Sequence, residues 1–240
     1  MAFSFFRTRT PVPVALPADI HSHLLPGLDD GVANFAEAGD VIRRLQAIGY
    51  QKFWTTPHIM SDTYRNTSEG ILGRLDELRI FLKQEQIDVK VEAAAEYYFD
   101  TDLLAQVAAE ALLMTFGDRY LLFEMNYMNE PYQLNDFIFK LTTQGYRPVL
   151  AHPERYHFMT MAKAEDLKQR GVLFQINQLS YVNYYSRPVQ VLAQQLTQQG
   201  WVDFVGSDCH HVRHADAMKA CLKNKYFKKA LELPLLNYQL

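Results

Sequence analysis

Residues that bind metal ions are concentrated in two short segments near opposite ends of the sequence. The segment DIHSHLLPGLDDG, residues 19–31, contains two histidines one residue apart and three aspartates. Because alternate residues of a strand share a face, His21 and His23 are expected to present both imidazoles to one side. Asp208 and His210 repeat this spacing. Imidazole and carboxylate groups are common metal ligands, so the pattern predicts a metal site; the alternative is a polar loop that contains histidine.

Further candidate ligands follow other apolar segments or lie in the first loop. They are Asp30, His58, Glu96, Glu124 and His152. A carboxylate after a buried strand requires a nearby cation, which for Glu96 and Glu124 is either a metal ion or an arginine such as Arg155. Nine mixed ligands exceed what one catalytic zinc ion takes from a protein. The set therefore predicts two or three divalent ions, and imidazole with carboxylate favours Mn²⁺, with Fe or Zn²⁺ as alternatives.

The segments that carry these residues alternate with helical patterns. Residues 34–49 have apolar side chains at helical spacing, with Asn34 as the expected N-cap and Glu37 completing a capping box. Four helices end in glycine directly before an apolar strand, at Gly49, Gly145, Gly171 and Gly200. This arrangement predicts an α/β fold with a largely parallel sheet of seven strands, one fewer than the eight-stranded barrel. In such barrels the carboxyl ends of the strands open onto one face, where active sites are built.

Composition excludes several classes of protein. The 240 residues include 24 basic and 27 acidic side chains, which give no basic face for nucleic acid. No apolar run approaches the length of a membrane span. The two cysteines, Cys209 and Cys221, fit a reducing cytosol, and neither begins a Cys-x5-Arg phosphate-binding loop. Residues 1–18 are basic, aromatic and proline-punctuated, and are interpreted as a leader or strap; weak contact with a membrane surface is the less favoured alternative.

The motifs DIHSHLLPGLDDG, TTPH, AAAEYY, LFEMN, LAHPERY and FVGSDCHH, in this order, resemble the polymerase-and-histidinol-phosphatase (PHP) superfamily. Within it they resemble the CpsB/CapC/YwqE-type bacterial tyrosine phosphatases. The resemblance runs from about residue 19 to the C-terminus, and it implies a distorted seven-stranded β/α barrel with a single catalytic domain over 19–240. It also implies three metal ions. Their ligands would be His21, His23, Glu96 and Asp208 for the first, Glu96, Glu124 and His152 for the second, and Asp30, His58 and His210 for the third.

A phosphate-binding metal site also needs arginine, whose planar side chain binds phosphate through two parallel hydrogen bonds. The candidates are Arg155 first, Arg213 second and Arg65 third, the alternative for each being a surface ion pair. His211 and His214 could supply a proton to the leaving group, the alternative being that they only line the rim.

These features predict a metal-dependent phosphoesterase. The resemblance specifies a protein-tyrosine phosphatase that acts on the C-terminal region of a bacterial tyrosine kinase controlling capsule or exopolysaccharide export. Such an enzyme is expected in the cytoplasm, recruited to the inner membrane by its kinase substrate. The alternatives are a PHP phosphatase of a small monoester such as histidinol phosphate, a PHP nuclease, and a metal-binding regulatory module without catalysis. An open rim would favour a protein substrate, and a deep closed pocket a small one.

Overall fold

The structure is a computed structural model, and it describes residues 16–240. Short parallel strands alternate with helices along this part of the chain. The strands are β1 Ala18–Asp19, β2 Lys52–Thr55, β3 His58–Ile59, β4 Lys90–Ala93, β5 Glu96–Tyr98, β6 Tyr120–Glu124, β7 Arg147–Ala151, β8 Leu173–Asn177 and β9 Phe204–Gly206. The α-helices are α1 Phe35–Gln46, α2 Ser68–Gln84, α3 Thr101–Ala108, α4 Leu134–Thr143, α5 Met161–Gln169, α6 Arg187–Gln199, α7 Val212–Met218 and α8 Lys225–Leu231.

The strands form two parallel sheets, in the orders β1-β2-β4 and β3-β5-β6-β7-β8-β9. The predicted α/β class with parallel strands is therefore confirmed. The structure differs from the seven continuous strands predicted, because the second and third of them are each divided into two segments that belong to different sheets. Pro57 lies between β2 and β3 and has no N–H to donate to a neighbouring strand, so the first sheet ends there.

Backbone hydrogen bonds join the first segment of the described chain to the last. The N–H of Asp208 donates to the carbonyl of His21 at 2.8 Å, and the N–H of His23 donates to the carbonyl of Cys209 at 3.0 Å. Ser207 also donates its N–H to the Oδ1 atom of Asp19 at 2.9 Å. These bonds bring the His-x-His and Asp-x-His motifs side by side.

The helix cap and the helix ends predicted from the sequence are largely confirmed. The side chain of Asn34 accepts the N–H of Glu37 at 2.9 Å, so it caps α1. The Glu37 carboxylate reaches back to the N–H of Ala33 at 3.0 Å, one residue before the capping-box position. The four glycines predicted to end helices all have positive φ, between 74° and 115°. A left-handed residue at this position favours glycine, and the chain then turns directly into a strand.

The core lies between the strands and the surrounding helices. All five residues of β6 are buried, as expected for a parallel strand covered on both faces. Residues 1–15 of the predicted leader lie outside the described residues, whereas Leu16 and Ala18 are buried in the domain. None of the helices in the described part of the chain is both long and apolar enough to cross a membrane.

Candidate metal centre

The nine side chains predicted as ligands all meet in one place. Glu124, His152 and Asp208 lie at or just after the carboxyl ends of β6, β7 and β9, whereas His58 and Glu96 begin β3 and β5. They form four overlapping groups, and within each group the potential ligand atoms lie within 4.8 Å of one another. The groups are His21, His23 and Asp208; His21, Glu96 and His152; His58, Glu96 and Glu124; and His23, Asp30, His58 and His210. Residues from six separate segments of the chain are thus brought together.

Glu96 lies at the centre of this cluster. Its Oε2 atom is 3.0 Å from Nε2 of His21 and 3.2 Å from Nδ1 of His58, and its Oε1 atom is 3.2 Å from Nε2 of His152. Burial by itself raises the pKa of Glu96, but the facing imidazoles of His21 and His58 more than offset burial and hold the pKa well below its usual value. Its two oxygens face different groups, so Glu96 is positioned to bridge two cations.

Asp208 is another buried carboxylate of the cluster. Its Oδ1 atom lies 3.5 Å from the Nε2 atoms of both His21 and His23. Its Oδ2 atom accepts hydrogen bonds from Nη1 of Arg155 at 2.9 Å and from Nδ2 of Asn177 at 2.6 Å. The backbone of Asp208 has a φ of 49°, a left-handed conformation that is uncommon outside glycine and concentrates at functional sites.

Two hydrogen-bonded side-chain amides, those of Asn177 and Gln175, fix the orientation of His21. Asn177 donates through Nδ2 to the Asp208 carboxylate, so its Oδ1 is free to accept a hydrogen bond from Nε2 of Gln175 at 2.8 Å. Oε1 of Gln175 then faces Nδ1 of His21 at 2.8 Å. Because an amide oxygen only accepts, Nδ1 of His21 carries the proton. The lone pair of His21 is therefore on Nε2, which faces Glu96 and Asp208.

Asp29, and not only its neighbour Asp30, supports the site. The buried Asp29 carboxylate lies 2.7 Å from Nδ1 of His23 and accepts the backbone N–H groups of Gly31 and His58. Asp30 is 57% exposed, and its Oδ1 atom lies 3.6 Å from the Nε2 atoms of both His58 and His210. Asp29 therefore orients the predicted ligand His23, whereas Asp30 itself faces the cluster from the solvent side.

The donor set fits divalent metal ions. The Nδ1 atoms of His58 and His152 are buried without a hydrogen-bond partner in the described structure. Glu96 and Glu124 are ion-paired only with imidazoles among the described residues, so the alternative of a salt bridge to Arg155 is not what is observed; Arg155 pairs with Asp208. Buried carboxylates that face lone pairs of imidazoles require cations between them.

A pocket of about 500 Å³ opens over this cluster. It is lined by ligand residues together with Met60, Tyr64, Tyr127, Arg155, Tyr185, His211 and His214. The guanidinium of Arg155 lies 4.9 Å from the ring centre of Tyr127 and 4.5 Å from that of Tyr185, so it is held between two aromatic faces. The phosphate-binding residue predicted first is therefore placed in the pocket by packing.

The other predicted catalytic residues differ in position. His211 lines the pocket and caps α7, its Nδ1 atom accepting the N–H of His214 at 3.3 Å. Arg213 lies between these two histidines in the chain, but its own side chain is exposed and is absent from the pocket lining. Arg65 lines a separate cavity and donates to the carbonyl of Ser61 at 2.5 Å, so the structure does not bring it to the metal cluster.

Sequence comparison identifies the family. Residues 17–233 match the family described as capsular polysaccharide synthesis, CpsB/CapC. The chain belongs to this family. The resemblance seen in the sequence motifs is thereby confirmed.

Relatives within the CpsB/CapC family are named tyrosine-protein phosphatases. YwqE of Bacillus subtilis is 27% identical over 197 residues, which cover 81% of this chain and 78% of YwqE. CpsB of Streptococcus pneumoniae is 23% identical over 201 residues, covering 81% of this chain and 83% of CpsB. A crystal structure from work on these two proteins, described as unique metal-dependent tyrosine phosphatases, superposes with a TM-score of 0.78 at 26% identity and 87% coverage of each chain.

Three residues that contact the metal cluster were missed by the sequence analysis. They are Asp29, Gln175 and Asn177. Gln175 and Asn177 alternate in the otherwise apolar segment VLFQINQ, and two amides on one face of a buried strand are a signal of an internal polar network. For Asp29 the signal was weaker, because two adjacent aspartates in a loop do not indicate which one is buried.

Proposed function

We propose that this protein is a metal-dependent tyrosine phosphatase, which removes phosphate from phosphotyrosine in a protein. The observation that carries the proposal is the convergence of five histidines and four carboxylates beneath an open pocket that also contains Arg155. The names of the CpsB/CapC relatives support the same activity. The exposed rim at Asp30 favours a protein substrate over a small enclosed monoester such as histidinol phosphate.

The site would hold two or three divalent ions, with Mn²⁺ favoured and Fe or Zn²⁺ as alternatives. The ligand sets are those implied by the family motifs. They are His21, His23, Glu96 and Asp208; Glu96, Glu124 and His152; and Asp30, His58 and His210. Nε2 of His58 faces Asp30, which supports the third set, while its Nδ1 faces Glu96 and Glu124. When bound, such ions lower the pKa of water and polarise phosphoryl oxygens.

The residues around the ions have separable roles. Arg155 would bind the phosphate oxygens, since its guanidinium is held in the pocket by Tyr127 and Tyr185. Arg213, exposed in the first turn of α7, is the second candidate for contact with phosphate. His211 and His214 line the rim and would deliver a proton to the departing oxygen. A tyrosyl oxygen has a pKa of about 10, so it needs less proton donation than an alkoxide.

The wider biological context follows from the family. The CpsB/CapC description concerns capsular polysaccharide synthesis, so the substrate is proposed to be the phosphorylated C-terminal region of a bacterial tyrosine kinase of that system. The protein would act in the cytoplasm, recruited to the inner membrane by that kinase. Residues 19–240 would form one catalytic domain, a distorted barrel of the seven predicted strands, two of which are divided into two segments. The hydrogen bonds between Asp208 and His21 and between His23 and Cys209 support closure.

The test is phosphate release from a phosphotyrosine peptide by metal-stripped protein, with and without added Mn²⁺. We expect activity to return with Mn²⁺ and to be lost in Asp208→Ala. Arg65→Ala is the matched control, because Arg65 lies outside the pocket. Equal activity without metal would contradict the metal dependence. No release from any aryl phosphate in the presence of Mn²⁺ would contradict the proposal and favour the small-monoester or non-catalytic alternatives.

A further inference from the structure

A second cavity adjoins the metal pocket. It has a volume of about 780 Å³ and lies between residues 154–161 and residues 186–195, at the start of α6. We call it the flanking groove. Arg155 lines both this groove and the metal pocket, so the two cavities meet at the residue proposed to bind phosphate. A volume of this size lies within the range of specific ligand sites.

The walls of the flanking groove are mainly apolar. Met159 is buried, and Met161, Val189 and Leu192 are half-buried. Methionine side chains are flexible and polarizable, so they adapt to apolar partners of different shape. These walls fit an apolar side chain of a ligand that enters from solvent.

One charged side chain in the groove lacks an ion-pair partner. Arg187 is exposed and donates to Oε1 of Gln190 at 2.6 Å. Within residues 16–240 it has no aspartate or glutamate in ion-pair contact. The groove thus offers a cation for an acidic group.

We propose that the flanking groove binds the polypeptide segment next to the phosphotyrosine of the substrate. An apolar side chain of that segment would pack against Met161 and Leu192, and an acidic side chain would pair with Arg187. This inference rests on the proposed function. A phosphotyrosine in a protein necessarily continues into neighbouring residues, each spanning about 3.5 Å when extended. The flanking groove meets the metal pocket at Arg155, so these neighbouring residues would lie in the groove.

The experiment compares two kinds of substrate in the Mn²⁺-loaded full chain. The first kind is p-nitrophenyl phosphate, which has no flanking residues. The second kind is a pair of phosphotyrosine peptides. The acidic peptide has a leucine and a glutamate beside the phosphotyrosine, and the basic peptide has a leucine and a lysine there. Arg187→Glu is expected to lower kcat/KM for the acidic peptide by about 5- to 10-fold, through KM, and to reverse the preference between the two peptides. Its rate with p-nitrophenyl phosphate should not change.

Lys83→Glu makes the same charge change at an exposed position of α2 outside the groove, and it should leave both peptides unaffected. Leu192→Gln tests the apolar wall and should lower kcat/KM for both leucine-containing peptides without changing the rate with p-nitrophenyl phosphate. The inference is overturned if Arg187→Glu and Lys83→Glu behave alike with the peptides. It is also overturned if Arg187→Glu changes the molar mass of the protein in solution, measured by light scattering. The groove would then be a contact between copies of the chain. If the unmodified protein shows no metal-dependent activity with p-nitrophenyl phosphate, the proposed function itself is contradicted.

Discussion

Nδ1 of His21 donates a hydrogen bond to Oε1 of Gln175, 2.8 Å away, and this bond determines which nitrogen of His21 faces the other ligands. The same oxygen accepts the backbone N–H of His152 at 3.2 Å. One amide therefore orients two of the proposed ligands. Residues that orient metal-binding histidines contribute strongly to metal affinity although they do not touch the metal.

Replacing Gln175 with methionine, which keeps the volume but removes the acceptor, is expected to weaken Mn²⁺ binding by about 10- to 100-fold. Isothermal titration of the metal-stripped protein measures this change. Gln178→Met is the control, since Gln178 is equally buried but contacts Tyr50 and Met218 instead of the cluster. Equal affinities for the two variants would show that Gln175 has no orienting role.

The adjacent residues Asp29 and Asp30 should differ in their effect on stability. Asp29→Ala removes a buried carboxylate that contacts His23 and accepts two backbone N–H groups. We expect it to lower the free energy of unfolding of the metal-free protein by about 1–3 kcal/mol. Asp30→Ala removes an exposed side chain and should change it by less than about 0.5 kcal/mol. Urea unfolding of the metal-free variants tests the difference, and a loss of similar size for both would refute it.

Arg155→Lys should separate charge from geometry in phosphate binding. Lysine keeps the positive charge but loses the planar pair of donors and the packing between Tyr127 and Tyr185. We expect kcat/KM for p-nitrophenyl phosphate to fall by about tenfold or more. Steady-state kinetics of Arg65→Ala and Arg213→Ala provide the comparison. Arg65→Ala should match the unmodified protein, and a loss as large as that of Arg155→Lys would contradict the placement of Arg65 outside the pocket.

Cys221 should make folding stability depend on pH in alkaline solution. Burial raises the pKa of this thiol to about 12. Above pH 9 the unfolded chain loses this proton while the folded chain retains it, so the free energy of unfolding falls as pH rises, by at most about 1.4 kcal/mol per pH unit. Urea midpoints between pH 8 and 10.5 should decline less steeply in Cys221→Ala than in the unmodified protein. Parallel declines would exclude a contribution from this thiol.

Much of the fold follows from local signals in the sequence. Asn34 as a helix cap, and Gly145 and Gly200 as helix ends, depend on backbone geometry within a few residues, so the sequence alone predicts them. The clustering of the proposed ligands was also predictable, because all of them except Asp30 follow an apolar segment and parallel strands bring such ends together. The grouping of His58 with both Glu96 and Asp30 depends on the direction of each ring nitrogen, which spacing does not specify.

Other features depend on long-range packing and could not be predicted. The division of the predicted second and third strands between two sheets depends on how β2 and β4 pair, from Lys52 opposite Lys90 to Thr55 opposite Ala93. The ion pair between Arg155 and Asp208 joins segments far apart in the sequence. The exposed position of Arg65 likewise results from the path of the loop before α2, which its neighbours in the sequence do not determine.

The hydrogen bonds from Asp208 to His21 and from His23 to Cys209 also bear on how the chain folds. They join residues from nearly opposite ends of the described chain, so a chain emerging from the ribosome has no complete first ligand set until its last strand has been made. Contacts between such distant residues form slowly, and an ion that binds only the closed form stabilises closure by mass action. Metal uptake during refolding would therefore report the final step of assembly.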